Sequence, residues 1–159
     1  MRPSFIFFIA VVVSQLVVGC KNSPTSPGSL ENLQLTFLQG SIGADLMPAV
    51  EPDPVSCYLQ LLARNTSQTE TLANVEIVQA EVFLKSSGEK IGSFSLSTTW
   101  DGNLAPGEQD TVVLLKSPSV KVPFQSPCYQ GVYLNLEVRS DLSAFTTFKI
   151  DSLIFGCVY

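Results

Sequence analysis

The stretch Gly131-Val-Tyr-Leu-Asn-Leu-Glu-Val-Arg139 indicates the fold class of this 159-residue chain. Within it, apolar residues occupy every second position from Val132 to Val138, and Asn135 and Glu137 lie between them. Side chains of a β-strand point alternately to opposite faces. The pattern therefore predicts a strand with one face in a hydrophobic core and the other in solvent.

The same period of two recurs on both sides of this stretch, and turn residues separate the segments that carry it. The predicted strands are residues 33–37, 57–64, 75–85, 91–96, 111–116, 132–138 and 145–155. Residues 40–54 are rich in proline and are predicted to form a loop, whereas Gly88 is predicted to form a hairpin turn with positive φ. Seven short strands without a helical pattern predict an all-β, antiparallel β-sandwich.

Several turns carry a resemblance to a known family. A strand ends in Asn65-Thr-Ser67, a long strand leads into the Gly88 hairpin, and Leu104-Ala-Pro-Gly-Glu108 forms a further turn. These features resemble bacterial extracytoplasmic immunoglobulin-like domains of the cell-adhesion-related and FxLYD types, over residues 57–115. The resemblance implies an immunoglobulin-like β-sandwich of about seven strands. The chain departs from that pattern in its tryptophan, because Trp100 follows the fourth strand instead of lying on the third.

The N-terminus has the three parts of a secretory signal. Arg2 supplies positive charge, residues 5–18 are mostly apolar, and the small residue Gly19 precedes Cys20. The apolar run is short for a membrane span, which needs about 20 residues. Leu16-Val-Val-Gly-Cys20 resembles the lipobox of bacterial lipoproteins, and this resemblance implies cleavage after Gly19 and palmitate-type acyl chains on Cys20.

These observations divide the chain into three parts. Residues 1–19 are the predicted lipoprotein signal peptide, residues 20–29 are the lipidated cysteine with a flexible linker, and residues 30–159 are the β-sandwich domain. The predicted location is the bacterial cell envelope. The lipid anchor would hold the domain on the periplasmic side of the outer membrane in a Gram-negative organism, or on the outer face of the cell membrane in a Gram-positive one.

Charge and composition exclude several functions. Loss of Arg2 with the signal peptide leaves eight basic residues against 14 acidic ones, a net charge of −6, which argues against nucleic acid as a partner. The sequence contains no histidine, the commonest general base and metal ligand. Asp45, Glu51 and Asp53 lie in the predicted loop without the spacing of a cation site. We therefore predict a non-enzymatic protein without a cofactor or a metal.

Cys57, Cys128 and Cys157 remain once Cys20 is assigned to the lipid, and two of the three are expected to form a disulfide in an oxidising compartment. The resemblance to an immunoglobulin-like sandwich implies that all three lie at one end of the domain. Strand alternation directs Cys57 and Cys128 inward, which favours that pair. The alternative, Cys128 with Cys157, requires a β-bulge that changes the alternation, for instance at Gly156.

The aromatic residues Trp100, Tyr58, Tyr129 and Tyr133 are a candidate binding surface for carbohydrate or peptide, although scattered aromatics are also common packing residues. The predicted function is that of a membrane-anchored extracytoplasmic lipoprotein acting as a non-enzymatic protein-interaction or structural module of the cell envelope. An envelope protein would be its partner, and an exposed strand edge would allow strand addition. The alternative is a ligand- or glycan-binding accessory lipoprotein.

Overall fold

The computed structural model describes residues 30–47, 55–117, 127–140 and 145–159. The strands are β1 (Leu33–Asp45), β2 (Val55–Asn65), β3 (Glu76–Leu84), β4 (Lys90–Ser97), β5 (Gln109–Lys116), β6 (Gly131–Arg139) and β7 (Phe145–Val158), and a short 3₁₀ helix spans Leu30–Asn32. The predicted all-β class is confirmed.

Several predictions fall outside the described residues. They concern the signal peptide, the lipidated Cys20 with its linker, and the acidic residues Glu51 and Asp53. Asp45 is described, and one of its carboxylate oxygens accepts the backbone N–H of Met47 at 3.1 Å. This contact is a local turn of the kind that aspartate commonly makes.

The strands close on themselves in the order β1-β2-β5-β4-β3-β6-β7, so they form a barrel. Neighbouring strands are antiparallel except β1 and β7, which are parallel. Closure depends on two short contacts. Residues 42–45 of β1 pair with residues 155–158 of β7, and residues 96–97 of β4 pair with residues 115–116 of β5. The residue pattern predicts neither the closure nor the parallel pair.

The inward faces of β2 and β6 form the centre of the core. Leu59 and Leu61 of β2 and Leu134 and Leu136 of β6 are fully buried. Burying one apolar side chain of this size stabilises the fold by about 1.5–3 kcal/mol. The alternation of both strands is as predicted, because their sequences show the period of two without interruption.

The predicted loop over residues 40–54 is wrong in its first part, because β1 continues to Asp45. The pairing with β2 shifts by one residue at Leu38, and this bulge interrupts the period of two. Beyond the bulge, Ile42 faces the core and is buried. A sequence that changes phase in the middle of a strand gives the appearance of a strand followed by a loop.

A bulge of the same kind lies in the middle of β7. Leu134 pairs with Ile150 and Val132 pairs with Leu153, so residues 151–152 lie together opposite one residue of β6. The alternation of β7 reverses there, with Ile150 buried before the bulge and Leu153 buried after it. One continuous inward face therefore does not run along the whole of this strand.

β3 also changes phase, because its pairing with β6 shifts between Ile77 and Gln79. Val75 and Ile77 are buried before this shift, and Ala80 and Val82 are buried after it. One alternation therefore does not hold along the whole of β3, for the same reason as in β7.

The disulfide joins Cys128 to Cys157, and Cys57 is a buried free thiol. The favoured pair, Cys57 with Cys128, is therefore wrong. The bulge at residues 151–152, rather than one at Gly156, turns the side chain of Cys157 inward. The Cα atoms of the bonded pair are 5.4 Å apart.

The three cysteines lie at one end of the barrel. Cys57 pairs with Ile42 of β1, and two residues further along β1 Ala44 pairs with Cys157. We call this the cysteine end. The opposite end carries Asn65, the last residue of β2.

Candidate functional site

The contact between β4 and β5 is the least complete pairing in the barrel. β4 pairs with β3 as far as Ser95, which lies opposite Gln79. The chain then crosses to β5, where residues 96–97 pair with residues 115–116. Residues 98–101 belong to no strand. The chain therefore leaves one neighbour and pairs with the next for only two strand residues, besides Ser95, whose carbonyl oxygen accepts the N–H of Ser117 at 2.9 Å.

We call this region the open seam. It consists of residues 97–101 together with the facing edges of β3 (residues 76–78) and β5 (residues 109–113). Backbone pairing on the β3 side resumes at Val75, whose N–H donates to the carbonyl oxygen of Gly102 at 3.0 Å. The open seam is thus a gap with a defined beginning and end.

Gly102 fixes the point at which the gap ends on the β3 side. Its φ is +75°, and a Cβ atom at this position would lie 2.3 Å from the carbonyl oxygen of Val75. Only glycine combines this φ with so close an approach. Leu72 and Leu104 form a bridge just beyond it, and both are buried. The close approach of Gly102 to Val75 and the bridge between Leu72 and Leu104 therefore hold the chain in place just after the open seam.

Two clefts flank residues 97–101. The larger, about 430 Å³, lies between residues 74–78 and residues 96–101. The smaller, about 230 Å³, lies between residues 97–99 and the side chains of Val113 and Leu115. Leu115 is 49% exposed although it is a large apolar residue. The smaller cleft therefore has an apolar wall from β5 and a hydroxyl-bearing wall from Ser97-Thr-Thr99.

Trp100 lies in the larger cleft and is half-buried against the core. Its backbone N–H donates to the hydroxyl oxygen of Thr98 at 3.1 Å. The indole Nε1 is buried and has no hydrogen-bond partner among the described residues. An unpaired buried N–H destabilises a fold by about 1–3 kcal/mol. The indole N–H of Trp100 is therefore a buried polar group at the open seam that the described contacts leave unsatisfied.

The register of β5 with β2 determines which backbone groups face the seam. Asn65 N–H donates to the carbonyl oxygen of Glu108 at 2.9 Å, which sets the phase of the ladder. Bonded and non-bonded pairs alternate in antiparallel strands. The N–H and C=O groups of Gln109, Thr111 and Val113 consequently point away from β2 and toward the seam. No strand among the described residues pairs with them.

Acidic side chains border this edge of β5. A carboxylate oxygen of Asp110 accepts the backbone N–H of Thr111 at 2.7 Å, and one of Glu108 accepts that of Ala105 at 2.7 Å. Both acidic residues are exposed. Charged residues on an edge strand hinder unspecific pairing with other chains. The edge is thus open but partly protected.

The four aromatic residues of the candidate binding surface lie apart. Tyr58 is on the outer side of β2 and Tyr133 on the outer side of β6, and the strand order places these strands on opposite sides of the barrel. Tyr129 is at the cysteine end, where its hydroxyl donates to the carbonyl oxygen of Cys157 at 2.8 Å. Trp100 lies at the open seam.

The other two tyrosines also make contacts within the domain. The ring of Tyr133 stacks on Phe83 with a centroid distance of 4.9 Å, and Lys149 Nζ lies 4.4 Å from the Tyr133 centroid. The hydroxyl of Tyr58 donates to Gln60 Oε1 at 3.4 Å. These contacts support the packing interpretation for both residues.

A second depression, about 480 Å³, lies over the contact between β1 and β7 at the cysteine end. Gly43 and Gly156 are register partners there. A Cβ atom on Gly43 would lie 2.7 Å from the carbonyl oxygen of Gly156, so the two strands approach as closely as their backbones allow. Exposed Tyr129 and Val158 border this surface. We call the contact between β1 and β7 the closed seam.

The described residues offer little reactive chemistry. Burial raises the pKa of the Cys57 thiol to about 12, although Lys116 nearby opposes this shift. The thiol is protonated at neutral pH and is a poor nucleophile. In the ranges that the structure covers, no three His, Cys, Asp or Glu side chains come together to hold a metal ion. No helix within those ranges is long and apolar enough to cross a membrane.

Comparisons with known proteins place this chain in no family. No family model matches the sequence, and no curated protein matches it either. Among solved structures, the chain is similar to the periplasmic chaperone SfaE, with 9% sequence identity and a TM-score of 0.35. The similarity covers 78% of this chain and 57% of the chaperone, so the chain spans little more than half the length of that protein. A TM-score this low carries no argument.

The sequence pattern did not identify two features of the seam region. The edge of β5 is one, because exposure of an edge depends on which strands lie beside it. Asn65 is the other. It is fully buried, and its Nδ2 donates to the carbonyl oxygens of Glu70 at 2.7 Å and Leu104 at 3.1 Å. The sequence does contain an indication of this buried network, because Asn65 is a polar residue at an inward-facing position of β2.

Proposed function

We propose that this chain is a membrane-anchored extracytoplasmic lipoprotein whose β domain is a non-enzymatic protein-interaction module of the cell envelope. The lipobox-like segment that ends at Cys20 supports the anchor. The observation that carries the interaction function is the open seam, which combines unpaired backbone groups with two clefts on an all-β domain. An envelope protein is the proposed partner.

We further propose that the domain is an immunoglobulin-like sandwich. The unequal pairings of the barrel support this architecture. β1, β2 and β5 pair over long stretches, as do β4, β3, β6 and β7, whereas the two seams between these groups are short. In a sandwich whose sheet edges are closed, the hydrogen-bond pattern would show two extensively paired sheets that are joined along short seams.

The proposed anchor gives the domain a direction relative to the membrane. The described chain begins at Leu30, at the end that carries Asn65, where Thr66 N–H donates to the carbonyl oxygen of Asn32 at 2.8 Å. β1 has 13 residues, and at about 3.3 Å per residue it spans roughly 40 Å toward the cysteine end. A tether at Cys20 would thus leave the cysteine end remote from the lipid.

The anchor is tested by Cys20→Ser, with Cys57→Ser as the matched control. Cys20→Ser should abolish labelling by radioactive palmitate and leave uncleaved precursor, because the lipid is attached at this sulfur. Cys57→Ser should be labelled and processed as the wild type is. Normal maturation and unchanged membrane partitioning of Cys20→Ser would show that the anchor assignment is wrong.

The interaction function is tested by site-specific photo-crosslinking in native cell envelopes. A photoreactive residue replaces Thr99 in the open seam or, as the control, Thr147 of β7, which is also exposed. A discrete adduct with one envelope protein is expected from position 99 and not from position 147. Equal adducts from both positions, or none from position 99, would contradict an interaction at the seam.

A second candidate function is ligand or glycan binding, because Trp100 lines the 430 Å³ cleft. The chain contains a single tryptophan, so its fluorescence reports on this cleft alone. Saturable quenching or a blue shift on titration with envelope glycan fragments would support this alternative. An unchanged spectrum up to millimolar glycan, together with a position-99 adduct, would favour the protein-interaction module.

A further inference from the structure

We propose that the open seam takes up an extended segment of a partner protein, carrying basic side chains, as an additional strand along residues 109–113 of β5. This inference rests on the proposed interaction function and names the chemistry of the partner. It follows from the hydrogen bonds, the clefts and the charges of the seam.

The hydrogen-bonding groups at this edge require a strand. Gln109, Thr111 and Val113 present N–H and C=O groups at alternate positions, about 6.6 Å apart along the strand. An extended polypeptide carries donors and acceptors with this spacing, so it can satisfy all of them together. β4 already does so for Leu115, which pairs with Ser97, and then leaves the edge. An added strand would continue the ladder from that point.

The smaller cleft supplies a place for one side chain of the added strand. It lies directly beside the edge, between residues 97–99 and the side chains of Val113 and Leu115. Covering the half-exposed Leu115 with an apolar side chain removes apolar surface from water, which favours binding. An alternating sequence would direct every second side chain toward this cleft, on the outer face of β5, and the others to the opposite face, which carries Val112 in the core and Asp110 nearer the Asn65 end.

The charges at the edge favour basic residues at the positions of the added strand that lie beside Glu108 and Asp110. Glu108 and Asp110 are both exposed there. Arg64, the nearest basic residue by register, lies on β2, on the far side of β5 from the seam. An incoming carbonyl must displace the carboxylate of Asp110 from the N–H of Thr111. The displaced carboxylate is then available for a lysine or an arginine of the added strand.

The same charges disfavour a second copy of this chain as the occupant. Pairing two β5 edges would bring four carboxylates, from Glu108 and Asp110 of each copy, to one interface. The mature chain also carries a net charge of −6, so two copies repel each other. A basic strand from another protein would instead be attracted both by Glu108 and Asp110 and by the net negative charge of the chain.

Amide hydrogen exchange of the chain from residue 20 onward, followed by NMR, tests the proposal directly. The probe is a blocked seven-residue peptide in which lysine alternates with valine, and the control is the same peptide with glutamate in place of lysine. In the free protein, the amides of Gln109 and Val113 should exchange quickly. The amides of Val112 and Leu114, which face β2, should be protected. The lysine peptide should slow exchange at positions 109, 111 and 113 by about tenfold or more.

A pair of variants at Thr111 removes or keeps the donor. Thr111→Pro removes an N–H that faces the seam and takes no part in pairing with β2, which an edge strand tolerates. It should weaken binding of the lysine peptide about five- to tenfold, whereas Thr111→Val should stay within about twofold. Protection of Val112 and Leu114 in both variants verifies that the sheet is intact.

The outcomes separate this inference from the proposed function. Failure of the lysine peptide to protect the three amides at millimolar concentration overturns strand addition, and a position-99 adduct in the same protein would leave the interaction module standing. Equal protection by the glutamate peptide overturns the basic character of the partner. Slow exchange of these amides in the free protein, or protection that rises with protein concentration, overturns the proposal in favour of the chain itself or a second copy as the occupant.

Discussion

The closed seam and the open seam are both places where β1, β2 and β5 meet the other four strands, yet they are built in opposite ways. At the closed seam, backbones touch at Gly43 and Gly156, and the disulfide through Cys157 lies beside them. At the open seam, one strand crosses over for two residues and leaves clefts on both sides. One seam holds the domain together, and the other leaves hydrogen-bonding groups unused.

This difference separates stability from accessibility within one small domain. An exposed strand edge is a hazard when it is long, flat and apolar, and proteins usually cover or charge it. Here the edge of β5 is charged, while β1 and β7 cover each other. The variants below are expected to affect stability strongly at the closed seam and weakly at the open one.

Among the variants at the two seams, the largest effect is expected from loss of the disulfide. The double variant Cys128→Ser with Cys157→Ser opens a loop of 29 residues, which should lower the free energy of unfolding by about 3–4 kcal/mol in the chain-entropy model. Urea unfolding monitored by circular dichroism measures it. A change below about 1 kcal/mol would mean that the closed seam does not depend on the bond.

A smaller loss is expected from Gly43→Ala. The new Cβ atom would meet the carbonyl oxygen of Gly156 at 2.7 Å, and backbone atoms on both strands leave little room for adjustment. We expect a loss of about 1–3 kcal/mol. Gly156→Ala is the matched control, because its Cβ meets only the carbonyl oxygen of Ile42 at 3.8 Å. Equal losses from both variants would contradict the close approach.

The pH dependence of stability tests whether the region between the seams is dry. Cys57 lies on β2, between β1 and β5, and burial raises its pKa from the ordinary value of 9.0 to about 12. The folded state holds this proton more tightly than the unfolded chain does. The stabilisation is therefore complete below pH 9 and is lost as the pH rises toward 12, by up to about 1.4 kcal/mol per pH unit.

The comparison protein for this measurement is Cys57→Ala, which has no thiol to titrate. Urea unfolding of both proteins between pH 8 and 11 should give a steeper decline for the wild type. Parallel declines would mean that water reaches the thiol.

The smallest effect is expected from Leu115→Ala at the open seam. Its side chain is already 49% exposed, so the loss should be about 0.5 kcal/mol or less. Leu114→Ala, one residue earlier and fully buried, should lose about 2–5 kcal/mol. Similar losses would show that the wall of the smaller cleft is part of the core.

Much of the fold follows from the sequence where the period of two is unbroken. β2 and β6 show this, since their inward leucines are the residues that the pattern selects. The pattern fails at the bulges of β1, β3 and β7, because one extra residue changes the phase without a change in composition. The wrong choice of disulfide has the same cause, because it assumed a constant phase along β7.

The candidate site was predictable only in part. Trp100 is at the open seam, and the sequence singles it out as the one tryptophan. The unpaired groups of β5 are backbone groups, so no side-chain pattern encodes them. Their exposure arises because β4 stops at Ser97, and that depends on the three-dimensional path of the chain.

The bulge at residues 151–152 has a consequence for how this domain can vary. Asp151 is exposed, so its replacement by another polar residue should change little. Deletion of one residue there would instead turn every later side chain of β7 to the opposite face, with Phe155 and Cys157 leaving the interior together. This stretch of chain therefore tolerates substitutions but not a change in its length. Homologous sequences should differ here by substitution and not by insertion or deletion.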